Sequence, residues 1–190
     1  MTKIVFGLLL LGIVATAGCT STINAVTSEP IKPDPGETSI GTDLDDWRMA
    51  TSIGVNIKKA HPSLANSHIN VHAFNKLILL TGEVPSKQMR ALAGKTAREF
   101  HGVRQVYNEL DIQGATSLLS RTNDSWLTAK VKSKLIANSK IDSGEVDVIT
   151  ENGVIYLMGL VSRRDADTIT AIASNTGGAR KVVRVFEYLD

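Results

Sequence analysis

One cysteine, four histidines and 19 acidic residues are among the side chains of this 190-residue chain suited to covalent, metal or acid–base chemistry. Catalysis needs a nucleophile or base held by partners, and a metal needs ligands at matched spacing. His68 and His72 form the one near pair of histidines. On a strand they share a face about 13 Å apart at ~3.3 Å per residue, too far for a single metal, and they read as part of a solvated face. His61 and His101 flank predicted helices without evident partners. Gly177-Gly178 follows a predicted helix instead of opening one, so it offers no helix N-terminus to a phosphate. The acids lie mainly at helix starts and turns, where capping accounts for them. The net charge is only +2, spread along the chain, and no basic block points to nucleic acid. These residues predict a binding module with no catalytic site, no metal and no cofactor, and not an enzyme.

Cys19 has a different context. Lys3 precedes the apolar run from Ile4 to Val14, which is followed by Ala15, Thr16, Ala17 and Gly18, the layout of a secretory signal. The run is too short to span a bilayer as a stable helix, which takes about 20 apolar residues. A lone cysteine cannot form an internal disulfide. The ending Ala17-Gly18-Cys19 resembles the lipobox of bacterial lipoproteins, with Thr16 standing where that motif usually has Leu. The resemblance implies that residues 1–18 are removed and that Cys19 carries the lipid anchor. Thr20 is not the aspartate that resembles an inner-membrane retention signal in such lipoproteins, so the resemblance implies the periplasmic face of the outer membrane. Residues 19–41, holding Pro30, Pro33 and Pro35 among Ser, Thr and Gly, read as a flexible tether.

The pattern that says most about binding lies between Ser125 and Asn138. With residues 100° apart and Trp126 at 0°, Leu127, Val131 and Leu135 fall at about 100°, 140° and 180°, the core face of a helix. Trp126, Ala129, Ser133, Ile136 and Ala137 fall between about 280° and 20°, a second stripe that points outward. Lys130 and Lys134 border it on one side and Lys132 on the other. A Trp-bearing apolar strip with flanking lysines suits a helix lying in a membrane surface, its ring in the acyl boundary and its ammonium groups at anionic headgroups. Each lysine adds on the order of 1 kcal/mol near such a surface. The competing use of the stripe is packing against the other half of the chain.

The elements that hold this helix are written twice, at an offset of about 77 residues. Met49, Ile53 and Ile57 in one copy match Leu127, Val131 and Leu135 in the other, which places Trp126 opposite Arg48 and makes it particular to the second copy. Asp45 or Asp46, and Asn123 or Asp124, can cap the two helix starts. An alternating strand follows in each copy, then a tight turn at Asn75-Lys76 or Asn152-Gly153, then a returning strand ending at Gly82 or Gly159. Second helices fit residues 86–100 and 162–176, and each copy closes with a strand after Gly102 or Gly178. Gly54 inside the first helix suggests close packing there, the side on which an interface with the second domain or a protein partner is expected.

The α-β-β-α-β order, with Leu-x-Gly after the hairpin and Gly-x-Arg-x-Val before the last strand, resembles the BON domain of bacterial periplasmic proteins. Two such units behind a lipobox resemble the DolP-type family of outer-membrane lipoproteins. The expected fold is α+β: two tandem BON domains, each a three-stranded mixed sheet with two helices, over residues 42–112 and 123–190, joined by a linker at 113–122. The stripe and the resemblance together predict that the second domain binds anionic phospholipid such as phosphatidylglycerol or cardiolipin. Trp126, Ala129, Lys130, Lys132, Ser133, Lys134 and Ile136 form the contact, and Cys19 supplies the anchor. The resemblance further implies division-site enrichment and support of envelope integrity. The alternative is a periplasmic adaptor for the machinery that assembles outer-membrane proteins.

Overall fold

The computed structural model describes residues 42–113, 118–139, 141 and 146–189. The expected signal, Cys19 and the tether lie outside the described residues. Helix α1 (Thr42–Ala60) and the short α2 (Pro62–Ala65) lead into β1 (Ile69–Phe74) and β2 (Leu77–Val84). Helix α3 (Lys87–Arg98) is followed by β3 (Gln105–Asn108) and the two-residue β4 (Asp111–Ile112). The second copy runs α4 (Leu118–Ile136), β5 (Val146–Glu151), β6 (Val154–Val161), α5 (Arg163–Ser174) and β7 (Lys181–Tyr188).

Each copy makes one sheet. β1 pairs antiparallel with β2 from Ile69↔Gly82 to Phe74↔Leu77, while β3 and β4 follow one another along the other side of β2, both parallel to it. β5 and β6 pair antiparallel from Val146↔Gly159 to Glu151↔Val154, and β7 runs parallel to β6 along its whole length. Both two-residue turns hold their central residues at positive φ: Asn75 at 46° and Lys76 at 65°, Asn152 at 51° and Gly153 at 73°. That geometry matches the right-handed twist of the flanking strands. Ser86 and Ser162 cap α3 and α5, their hydroxyls accepting from the Met89 and Asp165 amides. These caps satisfy N–H groups that the first turn of a helix leaves without partners.

Alternation along β2 and β6 divides their side chains between two kinds of core. Ile78 and Leu80 join Ile53, Ile57, Ala93 and Ala97 under the first pair of helices. Ile155 and Leu157 join Leu127, Val131, Leu135, Ile169 and Ala173 under the second pair. The opposite faces meet each other: Leu77 and Leu79 pack with Tyr156, Met158 and Val185, flanked by Phe74, Tyr107, Ile149 and Val183. The two sheets therefore stack face to face with helices on both outer sides. Both central strands are covered on both faces, which explains why Leu77–Leu80 and Ile155–Met158 are continuous apolar runs.

Polar ties close both ends of the junction. At one end Glu187 accepts from Asn75 Nδ2 at 2.6 Å and from an Arg104 guanidinium nitrogen at 2.6 Å. At the other, Asn70 donates to Glu151 at 2.9 Å and Asn152 donates to Glu83 at 2.9 Å.

Four expectations change. The domains meet through their sheets and not on the helical side that holds Gly54. Helix α4 begins at Leu118, so residues 118–122 of the expected linker are helical; the stretch contains neither Gly nor Pro to stop the helix. With α1 starting at Thr42 and α4 at Leu118, the acids at positions 45, 46 and 124 sit inside their helices instead of capping them. His68 and His72 are half-buried on the side that faces the other domain, not on a solvated face.

Candidate functional site

The outer side of α4 carries the stripe read from the sequence, and it is open. Trp126 is 58% exposed and Ile136 72% exposed, and Ala129, Ser133 and Ala137 are exposed between them. The first domain covers the sheet and leaves this helix face alone, so packing between the copies does not account for the stripe. Leu127, Val131 and Leu135 on the opposite side are fully or almost fully buried, which fixes the roll of the helix.

The lysines divide into two groups. Lys130 Nζ lies 4.5 Å from the centre of the Trp126 ring and 3.3 Å from the Gly177 carbonyl. Lys134 Nζ donates to Thr176 Oγ1 at 3.0 Å and lies 3.4 Å from the Asn175 carbonyl. Both ammonium groups thus sit at the C-terminal end of α5, where unpaired carbonyls favour a cation. Lys132 is exposed but lies on the other flank, along a groove between the domains. Ser133 donates to the Ala129 carbonyl at 2.8 Å, so its hydroxyl is bonded within the helix. Beside Lys134 an open apolar depression of about 610 Å³ lies between α4 and α5, lined in part by Ala137, Ala171 and Ile172.

What holds α4 in place is a residue whose role the sequence reading misassigned. Asp124, 5% exposed, accepts from the Asn152 amide at 2.8 Å and from the Gly153 amide at 2.7 Å. Asp46 does the same in the first copy, accepting from the Asn75 amide and, at 3.0 Å, from the Lys76 amide. Each carboxylate pins its helix to the tip of its own hairpin. The signal was present: both aspartates stand three residues before the first core position, Met49 or Leu127, at equivalent places in the repeat.

The second feature missed is the groove. It has a volume of about 580 Å³ and is walled by Val71–Phe74 of β1 and Val146–Ile149 of β5, with Trp47 and Ala50 of α1 on one side and Lys132 of α4 on the other. Trp47 is 56% exposed. His72 Nε2 is buried without a hydrogen-bond partner among the described residues. Burial pushes the His72 imidazole below its usual pKa, and the Asp147 carboxylate opposes this in part. The groove was invisible in the sequence because its walls come from both copies.

The remaining perturbed groups belong to the domain junction. Hydrogen bonds from Arg104 and then Asn75 hold the Glu187 carboxyl below its usual range, and the same contact raises the Arg104 guanidinium. Burial, helped by nearby carboxylates, pushes the Tyr156 phenol well above its ordinary value. No described helix is long and apolar enough to cross a membrane.

A family model for the BON domain matches residues 45–114 and 123–190. The outer membrane lipoprotein DolP of Haemophilus influenzae is 33% identical over 175 residues, covering 91% of this chain and 90% of that protein. The 21 kDa hemolysin of Actinobacillus pleuropneumoniae is 36% identical over 151 residues, 80% of this chain and 78% of its own length. The osmotically-inducible protein Y of Escherichia coli is 28% identical over 191 residues, with 96% and 93% covered.

Proposed function

The chain belongs to the BON-domain family of outer-membrane lipoproteins, and from that premise we propose that it is a non-enzymatic envelope protein whose second domain binds anionic phospholipid. The observation that carries this reading is the exposed stripe of α4, with its Trp126 ring and its lysines, on a helix whose other face is fully committed to the core. The ring and Ile136 enter the acyl boundary while Lys130 and Lys134 meet headgroup phosphates. Lys132 contributes charge from the groove side. Cys19, as a lipid anchor, supplies the first of the two signals that stable attachment takes. About 20 residues between Cys19 and α1 keep the near end of the folded part within some 25 Å of the membrane, which raises the effective headgroup concentration for a weak second contact.

A fully buried Trp covers roughly 150–250 Å². The 58% left exposed is therefore roughly 90–145 Å². Covering about half of it with lipid is worth about 1–2 kcal/mol at ~25 cal/mol/Å², an affinity factor of about 6–20. Flotation of the mature chain with phosphatidylglycerol or cardiolipin vesicles tests this. Recovery on anionic vesicles should exceed that on phosphatidylcholine vesicles, fall with salt, and fall at least about 6-fold in Trp126→Glu. Equal recovery on both vesicle types sinks the proposal. Division-site enrichment and support of envelope integrity are part of the same reading, and a fluorescent fusion carrying Trp126→Glu should lose any such enrichment.

A second reading, an adaptor for proteins of the outer-membrane assembly machinery, is favoured by the groove that both domains build. A defined envelope partner retained after Lys130, Lys132 and Lys134 are neutralised supports it.

A further inference from the structure

β1 and β5 are the outer strands of their sheets, and both border the groove. The register shows which backbone groups face it. The Glu83 amide donates to the His68 carbonyl at 2.8 Å. In an antiparallel pair such bonds recur at every second residue, so residues 70, 72 and 74 bond to β2 while Val71 and Ala73 direct their N–H and C=O groups outward. Every residue of β1 is only half-buried. Native proteins usually blunt such an edge with charge, Pro or a covering element. β1 itself has no Lys, Arg, Asp, Glu or Pro.

The side chains along this edge are specific. Trp47 offers an exposed ring on one wall and Ala50 leaves room beside it. Lys132 offers an ammonium group, and the buried Nε2 of His72 is without a partner among the described residues. Of the two acids lining the groove, Asp46 is occupied by the amides of residues 75 and 76, which leaves Asp147 on the β5 wall. Charge therefore places an incoming carboxylate at Lys132 and away from Asp147.

We propose that the groove takes an extended segment of a partner protein as an added strand on β1, with an acidic side chain facing Lys132 and an apolar one resting on Trp47. Main-chain bonds to Val71 and Ala73 supply affinity and the two side-chain contacts supply specificity, the general mode of strand addition. This rests on the adaptor reading, and Lys132 is the one side chain it shares with the lipid contact of α4.

The test uses the mature chain from residue 19 with Cys19→Ser, isotope-labelled, titrated with two pools of capped octapeptides. Both pools alternate Thr or Val with one Phe; one contains a Glu and the other a Lys in its place. With the Glu pool, the amide signals of Val71 and Ala73 and the Trp47 indole signal should shift, and exchange of those amides should slow at least 10-fold. The Lys pool should bind several-fold more weakly, and Lys132→Glu should reverse the preference. Val71→Pro removes an outward N–H without breaking a bond to β2, so it should abolish peptide binding while signals of the second domain stay unchanged. Absence of shifts at millimolar peptide overturns the proposal, as does binding that survives Val71→Pro. Shifts that appear without peptide as the protein concentration rises identify a second copy as occupant and overturn it too. Vesicle flotation of Val71→Pro should match the parent chain, which separates failure here from failure of the lipid reading.

Discussion

Replacing Asp124 with Ala removes the carboxylate that ties α4 to the second hairpin. Two amides, of Asn152 and Gly153, lose acceptors at 2.8 and 2.7 Å, in a place where Asp124 was 5% exposed and water has little access. A hydrogen bond to a charged group is worth about 1.5–3 kcal/mol net, and leaving a buried donor without a partner costs about 1–3 kcal/mol. Removing the carboxylate also relieves its own desolvation, which offsets part of the loss. The expected net destabilisation is about 3 kcal/mol. Asp124→Asn keeps one accepting oxygen but turns an NH2 group toward the second amide, so it should cost about 2 kcal/mol. Urea unfolding of the mature chain, followed by circular dichroism and by Trp fluorescence, measures both. Asp46→Ala should behave alike in the first domain, because Asp46 accepts from the same two positions of its turn. A loss below about 1 kcal/mol for Asp124→Ala, or an Asn variant as stable as the parent, would refute the reasoning that these carboxylates clamp the hairpins.

Two other outcomes follow from single positions. Lys76 holds φ at 65° where the second copy has Gly153, and a left-handed conformation costs a non-glycine residue about 1–2 kcal/mol, so Lys76→Gly should stabilise the chain by about 1 kcal/mol after the entropy of Gly is subtracted. An unchanged or lower urea midpoint argues against it. Burial disfavours the His72 imidazolium, so its folded-state pKa lies below the ordinary 6.5 despite Asp147. The unfolded chain then binds a proton that the folded chain refuses, so this stability is complete above about pH 6.5 and declines as pH falls toward the folded value. Between pH 7.5 and 5.5, His72→Phe should lose less stability than the parent chain; equal losses contradict the assignment.

Much of the fold was legible because each copy repeats strong local signals. Ser86 and Ser162 stand where helices start, and Leu127, Val131 and Leu135 recur every fourth residue on one face. Asn152-Gly153 dictates its turn through positive φ. The same periodicity isolated Trp126, Ala129, Ser133 and Ile136 as a second stripe, since the angle between residues on a helix does not depend on what surrounds it. The helical state of residues 118–122 was not read because Leu118 begins a helix whose apolar periodicity becomes clear only further on. The aspartates were misread because Asp124 lies 28 positions from the turn amide it binds, and spacing along the chain carries no record of that distance in space.

The sequence by itself determined the duplicated α-β-β-α-β order, the core side of each helix and the family. These follow from local propensity and from periods of 3.6 and 2. Only the tertiary structure decided that Leu77 and Leu79 meet Tyr156 and Met158, that α4 is consequently left open, and that Lys132 stands across a groove from Trp47. A sheet with two apolar faces must cover both, but nothing in its own strands names the cover. That choice is made when the second domain supplies a face of matching shape.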